Sequence, residues 1–407
     1  MRTPDTAPPR AEAPSHAETP PRAEGRPQTD GTPRAGLDVV VFHHHPVKAP
    51  LLRGAVLPLA EALTADGLHA HVERHWLHGP HLRLRLTGPP ARVHAAAEAA
   101  AVDLRAWLRR HPSRSDLTDA ELLRRAEAAG RAELLPGPHG PIAADNTVRI
   151  EPADRDTART LLGEDGTALR EDLLRAGLAP LRAGAEFLGE HGDRAQARVQ
   201  LAVVALAAHA AAHPAGLAGA HWSYVSHLED FLFHEDPDGR LRERFTSQAE
   251  PLAAAVTDLV GRIVAGDARD GERVWAEYAR DTWDLVRDRH AAGADLHGSP
   301  DAYRARAEAT GDRGTARRWN HEERTGYSEF HHLLRRSDPQ GTMFDRPDYL
   351  IHRAATNALY RLLAICDVQP LERYLAAHLV IRTVPALTGT DWHTALTRAV
   401  ATVEETP

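Results

Sequence analysis

The chain has one cysteine, Cys366, in 407 residues, which excludes an internal disulfide and any cysteine-rich zinc site. A reducing cytoplasm is therefore the expected compartment. Lysine is as scarce: Lys48 is the only one among 49 basic residues, so nearly all positive charge is guanidinium. GC-rich codon usage accounts for this, as it does for the excess of alanine and proline. Aromatic residues make up only 5%, which favours helices packed through small side chains over a β-sandwich. No run approaches the roughly 20 apolar residues that cross a bilayer, and the start lacks the basic and apolar segments of a secretory signal, so no membrane partner is expected. The net charge of −8 argues against a general nucleic-acid binder, which is strongly basic. No GxGxxG, P-loop or HExxH pattern occurs. The histidines His43 and His45, and His75, His78 and His81, have no acidic partner motif, so neither a cofactor nor a metal is expected.

What is present is concentrated between Val72 and Thr87, where Val-Glu-Arg-His-Trp-Leu-His-Gly-Pro-His-Leu-Arg-Leu-Arg-Leu-Thr reads as two strands joined by a tight Gly79-Pro80 turn. From His81 the side chains alternate, placing His81, Arg83 and Arg85 on one strand face and Leu82, Leu84 and Leu86 on the other. An imidazole and two guanidiniums in a row suit a carboxylate, because the planar guanidinium fork takes it bidentately and never loses its charge. Arg74 reaches the same face if the two strands pair across the turn. A solvated edge, where arginines discourage strand addition, is the competing reading.

Around this hairpin the sequence organises into one large unit. Residues 1–36 carry proline, alanine, threonine, arginine and acids without apolar periodicity, the pattern of a disordered tail. The expected domain is 37–400. Leu37–His43 reads as a strand, Leu51–Ala65 as an amphipathic helix ended by Asp66-Gly67, and Ala91–Arg110 as another helix. Asn146–Glu151 alternates as a further strand. The predicted class is α/β (α+β): a small mixed or antiparallel sheet with packed helices and a large helical portion. Helices are expected over 155–212, including the apolar Val199–Ala212, and as a terminal pair, 349–366 and 370–384, broken by Asp367 and Pro370. Charge rises and apolar periodicity weakens over 301–341, which reads as an exposed or mobile insertion.

The run Arg74 to Arg85 resembles the Arg-Tyr-x-Asp-x-Gly-Pro-His-Leu-Arg-Leu-Arg signature of the C-terminal domain of lanthipeptide dehydratases, which also occurs alone as the thiopeptide-type bacteriocin biosynthesis family. The register holds from Arg74 to His81 without a gap, while His75-Trp76-Leu77-His78 replaces the aromatic and acidic residues after the first arginine. The resemblance implies an active site that removes glutamate from glutamylated serine or threonine, leaving a dehydroamino acid. Such chemistry needs a base for the α-proton, positive charge for the developing enolate and a clamp on the departing glutamate. Arg83 and Arg85 are the candidates for the last two tasks, with Arg74 a further catalytic candidate.

Two further segments carry candidates. Ile351–Tyr360 resembles the late helix of the family in which a histidine stands shortly before an asparagine, here His352 and Asn357. Five residues apart, their faces differ by roughly 140°. His352 is the candidate acid/base group, its ordinary pKa lying near cellular pH; a polar residue on an outer helix face is the alternative. In Ser223–Phe231, His227 and Tyr224 are candidates for the pocket, while Ser226 and Glu229 also fit a helix-capping box. Together the implied function is β-elimination of glutamate from a precursor peptide, after a separate subunit using glutamyl-tRNA has attached it. The related pyridine synthase, joining two dehydroalanines by a formal [4+2] cycloaddition with release of the leader peptide, is the alternative enzyme. A non-catalytic subunit that holds the precursor peptide is the alternative without chemistry.

Overall fold

The computed structural model describes residues 34–320, 324 and 326–405; the tail expected over 1–36 lies outside the described residues apart from its last three. The chain opens with β1 (Ala35–Phe42), then α1 (Ala49–Leu51) continuing through a π-helical turn (Leu52–Val56) into α2 (Leu57–Ala65). Next come β2 (His69–His75), β3 (His81–Gly88), α3 (Pro90–Arg110), α4 (Asp119–Glu133) and β4 (Thr147–Pro152). Helices α5 (Asp156–Ala176), α6 (Leu178–Glu190), α7 (Ala195–Ala212), α8 (Gly216–Glu235), α9 (Arg240–Ala249), α10 (Ala253–Val264) and α11 (Asp270–Ala291) follow. The insertion folds as α12 (Pro300–Ala309), α13 (Arg313–Trp319) and α14 (Glu329–Ser337), before α15 (Pro347–Ile365), α16 (Pro370–Thr388) and α17 (Trp392–Glu404).

The four strands form one antiparallel sheet in the order β2-β3-β1-β4. Alternation decides its faces. Leu82, Leu84 and Leu86 of β3, Leu37, Val39 and Val41 of β1, and Ala70 and Val72 of β2 turn to a core shared with α2 and α3. Helix α3 suits that role because Val93, Ala97, Ala100, Ala101, Leu104, Trp107 and Leu108 recur at helical spacing and are all buried. The opposite face carries His71, Glu73 and His75 of β2 beside Arg85, Arg83 and His81 of β3. Helices α5 and α15 flank the β2 edge.

From Leu201 to Ala208 the α7 sequence is apolar on every side, and α7 is the one described helix long and apolar enough to cross a membrane. It packs instead against α8, α10, α11 and α16 as the centre of the helical portion, the environment that an all-round apolar helix requires. Its residues Leu201–Ala208 are buried throughout. Helix α8 corrects the capping reading of Ser226 and Glu229: it begins at Gly216, so both residues lie in its interior, where Ser226 meets His331 at 3.0 Å and Glu229 pairs with Arg242.

Candidate active site

The β2–β3 hairpin turns over Trp76–Gly79, closed by the Gly79 amide donating to the Trp76 carbonyl at 2.9 Å. His78 and Gly79 take positive φ values of 62° and 111°. A Cβ on Gly79 would lie 2.9 Å from His44 Nε2, so glycine is required there by both conformation and space. This turn sets the register His75↔His81, Glu73↔Arg83 and His71↔Arg85.

The same register moves Arg74 off the polar face, correcting the expectation that it joins Arg83 and Arg85. Arg74 stands opposite Leu82 and follows Ala70 and Val72 to the other side of the sheet. There it donates to the carbonyl of Ala364 at 3.0 Å and forms an ion pair with Asp367. The other Asp367 oxygen accepts from the amides of Lys48 and Ala49 at 2.6 and 2.8 Å. Arg74 thus helps lock the end of α15 to the start of α1.

On the polar face the two remaining arginines differ. Arg85 is buried and grips Asp38 with two hydrogen bonds of 2.7 Å, with a third bond of 3.1 Å to the Asp154 carbonyl. Burial penalises its charge, but Asp38, Glu73 and Glu171 outweigh that and raise its pKa. It is a structural clasp between β1, β3 and the start of α5, with little left for a ligand. Arg83 is half-buried. Its Nε donates to His81 Nε2 at 3.0 Å, while His81 Nδ1 donates to the Gly79 carbonyl at 2.8 Å. Both nitrogens of His81 are engaged, and burial followed by the charge of Arg83 hold it well below its ordinary pKa. The buried, neutral His81 therefore aims Arg83 rather than meeting a ligand. Among the described residues Arg83 has no carboxylate partner.

Around Arg83 gathers a charged group that sequence reasoning missed. Arg170 of α5 forms an ion pair with Glu73. Burial favours the neutral acid, yet Arg170, His71 and Arg85 together hold Glu73 well below the usual carboxylate range. Arg361 of α15 is exposed, has no carboxylate partner among the described residues, and has its pKa lowered, first by Arg170 and then by desolvation. Its electrostatic neighbours Arg170, Glu73, Glu133 and Tyr303 come from α5, β2, α4 and α12, so these elements border one shared crevice at the exposed Arg361 side chain. His75, stacked on Trp76 with ring centres 5.1 Å apart, feels both Arg83 and Arg361. Burial and then Arg83 lower its pKa to about 3.

Trp76 Nε1 donates to Glu133 Oε1 at 2.7 Å, bringing the last residue of α4 to the cluster. Tyr303 of α12 stacks on Trp319 at 5.4 Å and lies within electrostatic reach of Arg353 and Arg361. The insertion therefore approaches the same crevice. Arg353, Asn357 and Arg361, spaced by four, form one outward stripe of α15. Asn357 is exposed on that stripe, and the spacing was the available signal for Arg361.

His352 points elsewhere. It is buried, stacked on His209 at 4.5 Å, with Nε2 hydrogen-bonded to the Ser223 hydroxyl at 3.0 Å. Its Nδ1 has no partner among the described residues, and burial, then His209 and His213, keep it neutral. The outer-face reading of His352 is therefore corrected, and its ring is enclosed between helices rather than open to the crevice. Tyr224 is also corrected: it is fully buried, and its hydroxyl donates to the Leu206 carbonyl at 2.9 Å. His227 is exposed and meets the Tyr360 hydroxyl at 3.2 Å, next to Arg361 in sequence. Desolvation by the surrounding protein, then Arg373, lower its pKa to about 4.

No functionally curated protein matches the sequence. Among solved structures, the pyridine synthase TbtD from thiomuracin biosynthesis superposes with a TM-score of 0.64 at 20% identity, over 87% of this chain and 99% of that one. TsrL superposes with a TM-score of 0.56 at 19% identity, over 90% and 99%. These likenesses establish a shared fold. The sequence itself matches the lantibiotic biosynthesis dehydratase C-terminal family over residues 37–384, nearly the whole described fold, so the chain belongs to that family.

Proposed function

We propose that this protein matures a ribosomally made precursor peptide by β-elimination of glutamate from glutamylated serine or threonine. The observation that carries the reading is the pair Arg83 and Arg361, two guanidiniums beside one crevice without carboxylate partners among the described residues. A departing glutamate has two carboxylates to offer them, and each pairing is charge-assisted. The donors are held before the reaction, Arg83 by His81 and Arg361 by α15, so stabilising the leaving group requires little reorganisation. Arg85 and Arg74 support the site by bracing the sheet and the end of α15. His227 and Asn357 are assigned to peptide binding. A separate glutamylating subunit that uses glutamyl-tRNA is the partner this reaction requires.

Pyridine synthesis is the second reading. Its support is the enclosure of His352, which removes the histidine suggested for elimination from the crevice, together with the fold shared with TbtD along 99% of that chain.

Mass spectrometry of a glutamylated serine peptide incubated with wild type and with Arg83→Ala decides between them. Loss of glutamic acid with wild type, reduced about 10²- to 10³-fold in rate by the substitution, is the expected result. An unchanged peptide overturns elimination. Conversion of a peptide bearing two dehydroalanines then identifies a cyclase, and binding without conversion identifies a peptide-holding subunit.

A further inference from the structure

The hairpin carries no carboxylate between His75 and Pro80, and the acids nearest Arg83 and Arg85 are committed to guanidiniums: Glu73 to Arg170, Asp38 to Arg85. Glu133 differs. It ends α4, a helix begun by a capping box between Thr118 and Glu121 and stopped by Leu134 in the left-handed conformation at φ 56°. The Leu134 carbonyl accepts from Arg306 of α12 at 3.1 Å, so the end of α4 is pinned between the hairpin and the insertion. The Glu133 side chain is exposed. Oε1 accepts from Trp76 at 2.7 Å, while no arginine forms an ion pair with the carboxylate among the described residues. Its oriented partner is therefore a neutral N–H, its second oxygen has no hydrogen bond among the described residues, and the charges nearest it are those of Arg361, Arg170 and Glu73.

We infer that Glu133 is the base that takes the α-proton in this site, oriented by Trp76 and flanked by Arg361 and Arg170. The inference rests on the elimination reading above. In the step, Glu133 Oε2 removes the α-proton of the glutamylated residue, and the C–H electron pair becomes the Cα=Cβ bond. The Cβ–O bond breaks with its pair passing to the glutamate carboxylate, which leaves against Arg83 and Arg361. Glu133 then gives its proton to water. The environment suits the task. Although the side chain is exposed, desolvation by the protein around it pushes the Glu133 pKa up from the ordinary carboxylate value, the Trp76 hydrogen bond, Arg361 and Arg170 oppose this, and the Glu73 charge adds to it. The net effect is upward, the direction that makes a glutamate a better base near neutral pH. By contrast, His75 and His81 are held neutral far below their ordinary range, and His352 is enclosed.

The test is the pH dependence of kcat and KM on a glutamylated serine peptide for wild type, Glu133→Gln, Glu133→Asp and Trp76→Phe. Glu133→Gln is expected to lower kcat by about 10²-fold or more with KM changed less than about threefold, and to abolish the acid limb of the profile. Glu133→Asp restores part of kcat. Trp76→Phe, which removes the N–H that favours the ionised form, moves the acid limb to higher pH. Thermal melts of each variant at the wild-type temperature confirm folding, as expected for an exposed side chain. Active wild type with undiminished Glu133→Gln overturns the inference alone. Wild type that expels no glutamate overturns the elimination reading and the assignment of Glu133 with it.

Discussion

Two clusters built from the same hairpin show how position divides identical chemistry. On one side of the sheet, Arg74 meets Asp367 beside the backbone amides of Lys48 and Ala49, so the carboxylate is saturated. On the other side, Arg83 lies near Arg170, Arg361, Glu73 and Glu133, where guanidiniums outnumber carboxylates. The first cluster is closed and ties elements together. The second retains unpaired donors, which a structural cluster has no reason to keep, because isolated like charges destabilise a fold. Arg85, on the same face as Arg83, belongs with the first kind through Asp38.

The strongest way to break this comparison is Asp38→Ala. It removes both short hydrogen bonds to the buried Arg85, leaving only the longer ionic contacts with Glu73 and Glu171, and is expected to cost about 3 kcal/mol of stability, read from urea unfolding; a loss near zero would place Arg85 among the ligand-binding donors. Next in size is Arg361→Ala, expected to lower turnover on the glutamylated peptide about 10²-fold while the unfolding midpoint stays put. Equal losses of activity and stability would make Arg361 structural. Tyr224→Phe sharpens the assignment of that residue to the core. It removes one buried hydrogen bond while the Leu206 carbonyl keeps its intrahelical partner within α7, and is expected to cost about 0.5–1.5 kcal/mol, with KM unchanged.

The smallest effect concerns pH. Lys48 is entirely buried, and burial, then Arg74, lower its pKa from 10.5 to about 7. Between those values the unfolded chain holds a proton that the folded chain has released, so stability rises with pH across that window. Lys48→Met should flatten this rise between pH 7 and 10 in denaturant titrations, with the largest difference from wild type at the lower pH.

Much of the fold was legible because it follows from periodicity. The alternation of β3, the β4 segment, the α3 helix and the terminal helix pair stand where apolar spacing and Pro370 place them. Strand parity also contained the answer for Arg74: Ala70, Val72 and Arg74 share one side of β2, and the two apolar members assign that side to the core. Register across a five-residue loop is less readable, since it depends on the His78 and Gly79 torsions and on His44 beneath them. The Glu133 contribution was illegible for a different reason. It comes from a helix 57 residues beyond Trp76, and no local pattern brings that helix end to the hairpin. His352 shows the converse limit, because its five-residue spacing from Asn357 separates their faces, and only packing reveals which one turns inward.

The burial of Lys48 has a chemical consequence. The sole lysine amine of the chain is shielded from water although its lowered pKa leaves much of it unprotonated near pH 8, the form that amine-acylating reagents attack. Acylation of that side chain therefore requires the first turn of α1 to open, and its rate measures how often this corner of the fold comes apart. The one lysine is thus a built-in reporter of local unfolding, read at its own peptide, with no label to be engineered.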